Sequence, residues 1–429
     1  MNAPLDRVPA KPRRLLMVAY HFPPLRGSSG IQRTLRFVQH LPEFGWQPLV
    51  LTASPRAYED TSDDQLREIP EGTVVRRAFA LNTARHLSLF GRYPGALALP
   101  DRWATWRFDA VRTGMAMIRD YRPDAIWSTY PIATAHVVGA MLAKKSGLPW
   151  IADFRDPMAQ DGYPSDPRAW RAYRAIEENA LRQAVASVFT TPGCATLYRE
   201  RYPDVPASRS VVIENGYDEE TFARADGERR PAAGSRDGRF VLLHSGVVYP
   251  DERDPRPLFD ALGRLKRAGG VAASDFCLRL RASAYDPMLA ALASEHDIAD
   301  LVALEPAIPY EAALREMLEV DGLLILQAAN CNQQIPAKLY EYVRAKRPVL
   351  ALTDPAGDTA TTLRAAGLTS IARLDDAASI ASALVAFVER VRAGRESIAT
   401  ADAIAASSRQ GRAQAFAALL DRTLTTPSA

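Results

Sequence analysis

The chain has 429 residues, more than one hydrophobic core usually supports, so we expect two domains of about 200 residues each. Hydrophobic residues at 47% and charged residues at 24% are ordinary for a globular protein. The 53 basic and 50 acidic residues leave a net charge of only +3, which argues against a nucleic-acid-binding protein with a concentrated basic face.

Cysteine spacing and the length of the apolar runs predict the compartment. Cys194, Cys277 and Cys331 are far apart and match neither a zinc motif nor a disulfide framework, so we expect free thiols in a reducing cytoplasm. The first apolar run is too short for a secretory signal, and no stretch reaches the ~18 apolar residues that cross a bilayer. We predict a cytoplasmic protein and leave open a peripheral position on the inner face of the cell membrane.

Apolar runs of strand length alternate with helical periods along the chain, which predicts βαβ units and parallel sheets. The loop between the first strand and the first helix contains four small residues, Gly27, Ser28, Ser29 and Gly30. Glycine allows a ligand to approach the backbone, and small hydroxyl side chains leave room for a diphosphate or a sugar. Turn geometry alone is the alternative, and the spacing differs from the Gly-x-Gly-x-x-Gly of a dinucleotide fold.

Residues 84–108 mix basic with bulky apolar side chains, including Trp103, Trp106 and Phe108. Such a surface suits contact with anionic lipid or with a lipid-linked acceptor. A loop and a helix that pack on the sheet are the alternative.

A later predicted strand, residues 149–153, ends in the charged run Asp153-Phe-Arg155-Asp156. Charged residues directly after a buried parallel strand lie at its carboxyl end, where open α/β sheets bind ligands. Asp153, Arg155 and Asp156 are therefore candidate catalytic residues. The alternative is that they cap and salt-bridge the neighbouring loops.

The second half of the chain repeats the alternation of strands and helices. Residues 223–238 are rich in charge and glycine and have the composition of a linker. A strand follows that stops at Gly246, and Arg253 comes shortly after it. The residues from 404 onward are predicted to form a final helix.

The most informative stretch is a short apolar strand, residues 322–327, followed by a polar loop, a helix after Pro336 and another strand. A strand, a loop and a helix N-terminus in that order can hold a phosphate, because free amides and the helix dipole both favour an anion there. The alternative is an ordinary amphipathic helix with Glu341 on its solvated side.

Residues 335–350, IPAKLYEYVRAKRPVL, resemble the donor-nucleotide segment of retaining GT-B glycosyltransferases of the bacterial family-four type, which build surface polysaccharides. In that family two glutamates eight positions apart contact the donor sugar and the ribose. Glu341 matches the second, and the uncharged Gln333 stands at the first position. The resemblance also assigns Arg253 and Lys338 to the donor diphosphate.

The resemblance extends from about residue 14 to residue 420 and includes the glycine-rich first loop. At the Asp153 run, many relatives carry a catalytic histidine that is absent here. The implied fold is α/β, GT-B type, with two Rossmann-like domains facing across a cleft. The predicted ranges are an acceptor domain (1–222), a linker (223–238), a nucleotide-sugar domain (239–403) and a helix that returns to the first domain (404–429).

The resemblance implies that a sugar moves, with retention, from a nucleotide-sugar to a glycan or a lipid-linked acceptor. It implies no cofactor, because the donor is a substrate, and no metal, in keeping with the lack of an Asp-x-Asp motif in the sequence. Two other functions stay open: a nucleotide-sugar 2-epimerase of the same fold, and a non-catalytic glycosyltransferase-like binding subunit.

Overall fold

A computed structural model of the chain describes residues 12–26, 29–88, 93, 95–227 and 238–425. The chain forms two compact units. The first comprises Met1–Glu214 and Arg409–Ala429, and the second comprises Asn215–Ser408. Each unit is built on a parallel sheet with helices around it, so the predicted α/β class is confirmed.

Within the described residues, the first unit has one parallel sheet of seven strands in the order β3-β2-β1-β4-β5-β6-β7. The strands are β1 (Arg13–Val18), β2 (Trp46–Ala53), β3 (Val74–Ala78), β4 (Ala125–Thr129), β5 (Trp150–Arg155), β6 (Ala186–Phe189) and β7 (Ser210–Val212). The helices between them are α1 (Ser29–His40), α2 (Thr83–His86), α3 (Trp106–Tyr121), α4 (Ala133–Ser146), α5 (Pro167–Gln183) and α6 (Pro192–Arg201). β4 and β5 are buried along their whole length, and the two charged residues of β5, Asp153 and Arg155, lie toward its carboxyl end.

The second unit has a parallel sheet of six strands within the described residues, in the order β10-β9-β8-β11-β12-β13. Its elements in chain order are α7 (Glu219–Gly227), β8 (Phe240–Ser245), α8 (Arg256–Arg267), β9 (Phe276–Arg281), α9 (Asp286–Glu295), β10 (Val302–Glu305), α10 (Tyr310–Glu319), β11 (Gly322–Gln327), α11 (Lys338–Ala345), β12 (Val349–Thr353), α12 (Asp358–Ala365), β13 (Ile371–Ala372), α13 (Ala377–Arg392) and α14 (Ala401–Ala406). The last helix of the chain, α15 (Arg409–Thr425), belongs to the first unit.

The strand order reverses between β1 and β4 in the first unit and between β8 and β11 in the second. At such a reversal the connections leave the two neighbouring strands in opposite directions and open a crevice at the carboxyl ends of the strands. The geometry therefore places one candidate ligand site in each unit.

The predicted boundary at residue 222 is wrong. The first unit ends at Glu214, and α7 packs in the second unit, where Arg224 Nε of α7 lies 2.6 Å from Glu311 Oε1 of α10. Residues 223–227 of the predicted linker are the end of this helix, which the charged composition of the segment concealed. Residues 228–237 lie outside the described residues.

A final helix is predicted over residues 404–429, of which the structure describes residues 404–425, and these belong to two helices. α14 ends at Ala406, and α15 begins after Ser407 and Ser408. Within the first unit, α15 packs on α1 through Phe416, whose ring stacks on that of Phe37 with 4.8 Å between centroids. The return to the first unit thus involves α15 and not the residues before 409.

The prediction of free thiols is confirmed. Cys194, Cys277 and Cys331 are buried free thiols. Among the residues that the structure describes, no helix is both long enough and apolar enough to cross a membrane.

Candidate functional site

In the second unit, β8 is followed by a glycine whose backbone conformation disfavours a side chain. Gly246 has φ +118°, which L-residues rarely adopt. A Cβ placed there would lie 2.9 Å from Lys338 Nζ, the ammonium group of the first residue of α11. The glycine therefore leaves space beside a cation at the carboxyl end of the sheet.

Lys338 is held by a buried histidine of β8. Its Nζ lies 2.9 Å from His244 Nε2, and His244 Nδ1 lies 2.9 Å from the carbonyl oxygen of Leu324 in β11. Because that carbonyl can only accept, Nδ1 carries the hydrogen and Nε2 accepts from Lys338. Burial first, and then the charge of Lys338, hold the pKa of His244 well below its usual value, so the ring is neutral.

The electrostatics of Lys338 indicate a site for an anion. Burial lowers the pKa of this ammonium group to about 7; Arg253 lowers it as well, and Glu341 opposes the shift. The structure thus keeps two cations near each other at a cost that a bound anion would offset.

Arg253, from the loop after β8, is the second of these cations. It donates from Nη1 to the carbonyl oxygen of Val247, and its Cζ lies 5.1 Å from the ring centroid of Tyr249. Among the described residues, its buried Nε has no hydrogen-bond partner. Arg253 and Lys338 are thus near each other, as their predicted common role requires.

Glu341 lies near this site, and Gln333 precedes it in the chain. Glu341 lies in the first turn of α11 and accepts a hydrogen bond of 2.6 Å from the Tyr310 hydroxyl. Gln333 is exposed in the loop that precedes α11. The helix begins at Lys338, two residues after Pro336, so Lys338 lies in its first turn.

In the first unit, Asp153 lies in β5 and is fully buried. Arg33 of α1 binds its two carboxylate oxygens, with Nε at 2.8 Å and Nη2 at 3.1 Å, and the Thr129 hydroxyl donates to it at 3.0 Å. A carboxylate so enclosed holds α1 and the strand ends together. This geometry supports a structural role for Asp153, and the catalytic role predicted for it stays a prediction.

Arg155 ends β5 with a strained backbone at φ +61° and a register shift against β6. Its buried guanidinium donates from Nη1 to the carbonyl oxygens of Gly30 and Tyr130, at 3.2 and 3.3 Å. No carboxylate of the described residues lies within ion-pair distance of it. Arg155 is therefore a buried cation that is held by backbone carbonyl oxygens at the carboxyl end of β5.

Asp156 is exposed, and within the described part of the chain its carboxylate accepts no hydrogen bond. The surrounding protein limits its hydration, and this desolvation raises the pKa of the carboxyl group, although Arg155 acts in the opposite direction. An exposed carboxyl with a perturbed pKa at the end of a central strand is a candidate for contact with a substrate.

Two predicted residues of the first loop, Gly27 and Ser28, lie outside the described residues. Ser29 is the first residue of α1, and Gly30 follows it. The carbonyl oxygen of Gly30 accepts from Arg155, so the end of this loop is tied to the carboxyl end of β5.

The sequence analysis missed two histidines. His21 lies three residues after the end of β1, a strand at the strand-order reversal, and burial together with Arg155 lowers its pKa to about 4. Its position after a central strand was a usable signal. His244 lies in an apolar strand. A polar residue among buried neighbours needs a hydrogen-bond partner, and this was a signal that the sequence offered.

A separate cavity of about 380 Å³ opens in the second unit. Its lining includes Asp254 and Asp375, which form ion pairs with Arg256 and Arg373. It contains none of the predicted donor-binding residues. In the described part of the chain, no group of three or more His, Cys, Asp or Glu side chains is arranged to hold a metal ion.

One family model matches part of the chain. Residues 29–216, somewhat less than half of the chain, match the model of the glycosyl transferase 4-like domain. No curated protein sequence matches the chain.

Solved structures resemble the whole chain. HepE of Anabaena, crystallised with UDP, is 15% identical with a TM-score of 0.67, over 96% of this chain and 100% of that one. A glycosyltransferase from Rickettsia africae is 11% identical with a TM-score of 0.64, over 98% and 100%. Sucrose-phosphate synthase from Thermosynechococcus elongatus is 15% identical with a TM-score of 0.60, over 96% and 98%. At these identities the likeness shows the fold, and it confirms the predicted GT-B type.

Proposed function

We propose that this protein transfers a sugar from a nucleotide-sugar to a hydroxyl of a glycan or a lipid-linked acceptor, with retention, in cell-surface polysaccharide synthesis. The observation that carries the proposal is the pair of cations, Lys338 and Arg253, beside Gly246 at the carboxyl end of the second sheet. The glycosyl transferase 4-like domain supports it, as do the HepE structures with UDP and with UDP-glucose.

Lys338 and Arg253 are suited to bind the donor diphosphate. Charge-assisted hydrogen bonds to phosphate oxygens are among the stronger polar contacts in proteins. The same two cations stabilise the diphosphate as negative charge develops on it when it leaves the sugar. In this proposal side chains neutralise the leaving group, and neither a metal nor a cofactor is needed.

Glu341 is suited to bind the ribose. Its carboxylate can accept hydrogen bonds from both ribose hydroxyls, and the Tyr310 hydroxyl that now donates to Oε1 at 2.6 Å fixes its orientation. Gln333, three residues before Pro336, offers an uncharged amide to the hydroxyls of the donor sugar.

In the first unit we assign Asp156 and Arg155 to the acceptor. In a front-face retaining transfer, the bond from the anomeric carbon to the diphosphate oxygen breaks, and the acceptor oxygen bonds to the same face of that carbon. The departing diphosphate oxygen takes the acceptor proton, so the protein supplies geometry and charge and not a strong base. The exposed carboxylate of Asp156 orients the acceptor hydroxyl, and Arg155 fixes the adjoining backbone.

A lipid-linked acceptor and a peripheral position on the cytoplasmic face of the membrane agree with one surface of the first unit. Phe79 and Phe108 are 56% and 69% exposed, and Arg107 lies over the Phe108 ring at 4.7 Å. Exposed aromatic rings with a cation favour an anionic lipid interface. We expect the wild-type protein to sediment with anionic vesicles and not with neutral ones. The Phe108→Ser variant should lose its sedimentation with anionic vesicles.

Incubation of the protein with UDP-, GDP- and dTDP-sugars and a membrane extract as acceptor source tests the function. We expect free nucleoside diphosphate and a glycosylated product whose anomeric configuration, read by NMR, equals that of the donor. The reaction should continue in EDTA. A sugar altered at C2 would instead indicate an epimerase, and binding without turnover would indicate a binding subunit.

A further inference from the structure

The donor site contains a buried residue that the proposed reaction does not use. His244 is fully buried in β8 and lies between the main chain of β11 and the Lys338 ammonium group. Its two ring nitrogens are each 2.9 Å from a partner, Leu324 O on one side and Lys338 Nζ on the other. The ring therefore links the core of the sheet to the predicted diphosphate site.

We infer that His244 is a positioning residue of this site: it holds the Lys338 ammonium group beside Gly246, where a bound diphosphate draws a proton onto Lys338. The inference rests on the proposed function, because it takes the diphosphate of a nucleotide-sugar as the ligand. It adds to that function a role for His244 and the uptake of one proton by Lys338 when the donor binds.

The geometry explains why a histidine suits this position. The Leu324 carbonyl fixes the hydrogen on Nδ1, so the lone pair of Nε2 has one orientation and points to Lys338. A lysine has four rotatable bonds, and ordering it costs side-chain entropy. A fixed acceptor orders Lys338 before the ligand arrives, which reduces the cost of binding.

The charges around Lys338 explain the proton. Three groups act on its Nζ: His244 from β8, Arg253 from the following loop, and Glu341 from its own helix. Burial and Arg253 lower the pKa of Lys338 to about 7 in the free protein, and Glu341 opposes them. The negative charge of a diphosphate favours the ammonium form, so binding above this pH takes a proton from the buffer to Nζ.

UDP-glucose is the probe that isolates this proton. Both of its phosphates are diesters and do not titrate near neutral pH, whereas the terminal phosphate of UDP has a second pKa of about 6. We would titrate the full chain with UDP-glucose in buffers of different ionisation enthalpy, at about pH 8.5 and about pH 6. The dependence of the observed heat on the buffer gives the number of protons taken up.

We expect the wild-type protein to take up close to one proton at the higher pH and almost none at the lower. Lys338→Met should abolish the uptake, and Lys145→Met, an exposed lysine of α4, should leave it unchanged. His244→Phe removes the acceptor and should weaken binding at pH 8.5 by at least about tenfold. His244→Gln, whose amide oxygen can replace Nε2, should restore most of the affinity.

Unchanged proton uptake in Lys338→Met, or wild-type affinity in a folded His244→Phe variant, would overturn the inference. If His244→Phe does not fold, the comparison of the wild type with Lys338→Met still tests the inference. Absence of proton uptake by the wild type would refute the proposed protonation of Lys338 on binding. Binding of UDP-glucose without any uptake refutes this inference alone. Failure of the wild-type protein to bind any of the UDP-, GDP- or dTDP-sugars refutes the proposed function as well.

Discussion

The charged side chains at the carboxyl ends of the two sheets are arranged differently. In the first unit, the buried Arg33 and Asp153 form a two-point ion pair that a hydroxyl completes. In the second unit, Lys338 and Arg253 are two cations close to each other, and Lys338 is bound by a neutral histidine. A neutralised buried pair stabilises the fold, whereas like charges kept together at a cost indicate a ligand that neutralises them.

The strongest test of this contrast removes the buried carboxylate. Asp153→Ala leaves Arg33 buried without its partner and should lower the free energy of unfolding by about 3–5 kcal/mol. Arg182→Ala, which breaks an exposed ion pair with Asp204 in the same unit, should cost less than about 1 kcal/mol. Urea denaturation measures both. Equal effects of the two substitutions would refute the structural role of Asp153.

Asp156 should behave in the opposite way. Asp156→Asn should lower turnover by about a hundredfold, the effect of losing one positioned polar group, with little change in stability or in donor affinity. Arg155→Ala should lower turnover to a similar extent but also destabilise the first unit, because its guanidinium is buried. Steady-state kinetics with the true acceptor measure the effect, and normal turnover of both variants would remove the acceptor assignment.

Glu341→Ala should weaken nucleotide-sugar binding by about tenfold to a hundredfold, because it leaves the ribose hydroxyls unpaired at a cost of about 1–3 kcal/mol. Tyr310→Phe removes only the hydroxyl that orients this carboxylate, and we expect a loss of a few-fold. Calorimetric titration distinguishes the two. A folded Glu341→Ala variant with unchanged affinity would place the ribose elsewhere.

A further expected effect is on stability, and it depends on pH. Because the pKa of Lys338 falls from 10.5 to about 7 on folding, the unfolded chain binds a proton between these pH values that the native protein lacks. The stability of the nucleotide-free protein relative to Lys338→Met should therefore rise as the pH increases from about 7 to about 10. A difference that stays flat, or falls, would mean that Lys338 is an ordinary solvated lysine.

The parts of the molecule that follow from local sequence were predictable. Central strands such as β4 and β11 are buried on both faces and read as apolar runs, and the helix after Pro336 was placed within two residues of its true start. Contacts between distant residues were not predictable. Asp153 is paired with a residue 120 positions away, so its sequence neighbours gave no sign that its charge is already neutralised.

The predicted position of the domain boundary differs from the observed one for the same reason, a contact between distant residues. The charged end of α7 reads as a linker, yet its helix is stabilised by α10, which lies further along the chain. His244 is the opposite case, because it lies in an apolar strand and yet contacts Lys338 of the candidate site. Local pattern therefore locates the elements, and long-range pairing decides which of their polar residues remain available to a ligand.

The most direct test of the account is a ligand-detected NMR screen of the wild-type protein and Arg253→Ala against UDP-, GDP- and dTDP-sugars. Arg256→Ala, an exposed arginine three residues away that is paired with Asp254, is the control. Our expectation is that the wild type and the control bind at least one of these donors, and that Arg253→Ala binds it about tenfold to a hundredfold more weakly. Equal binding by all three proteins, or binding by none of them, would contradict it.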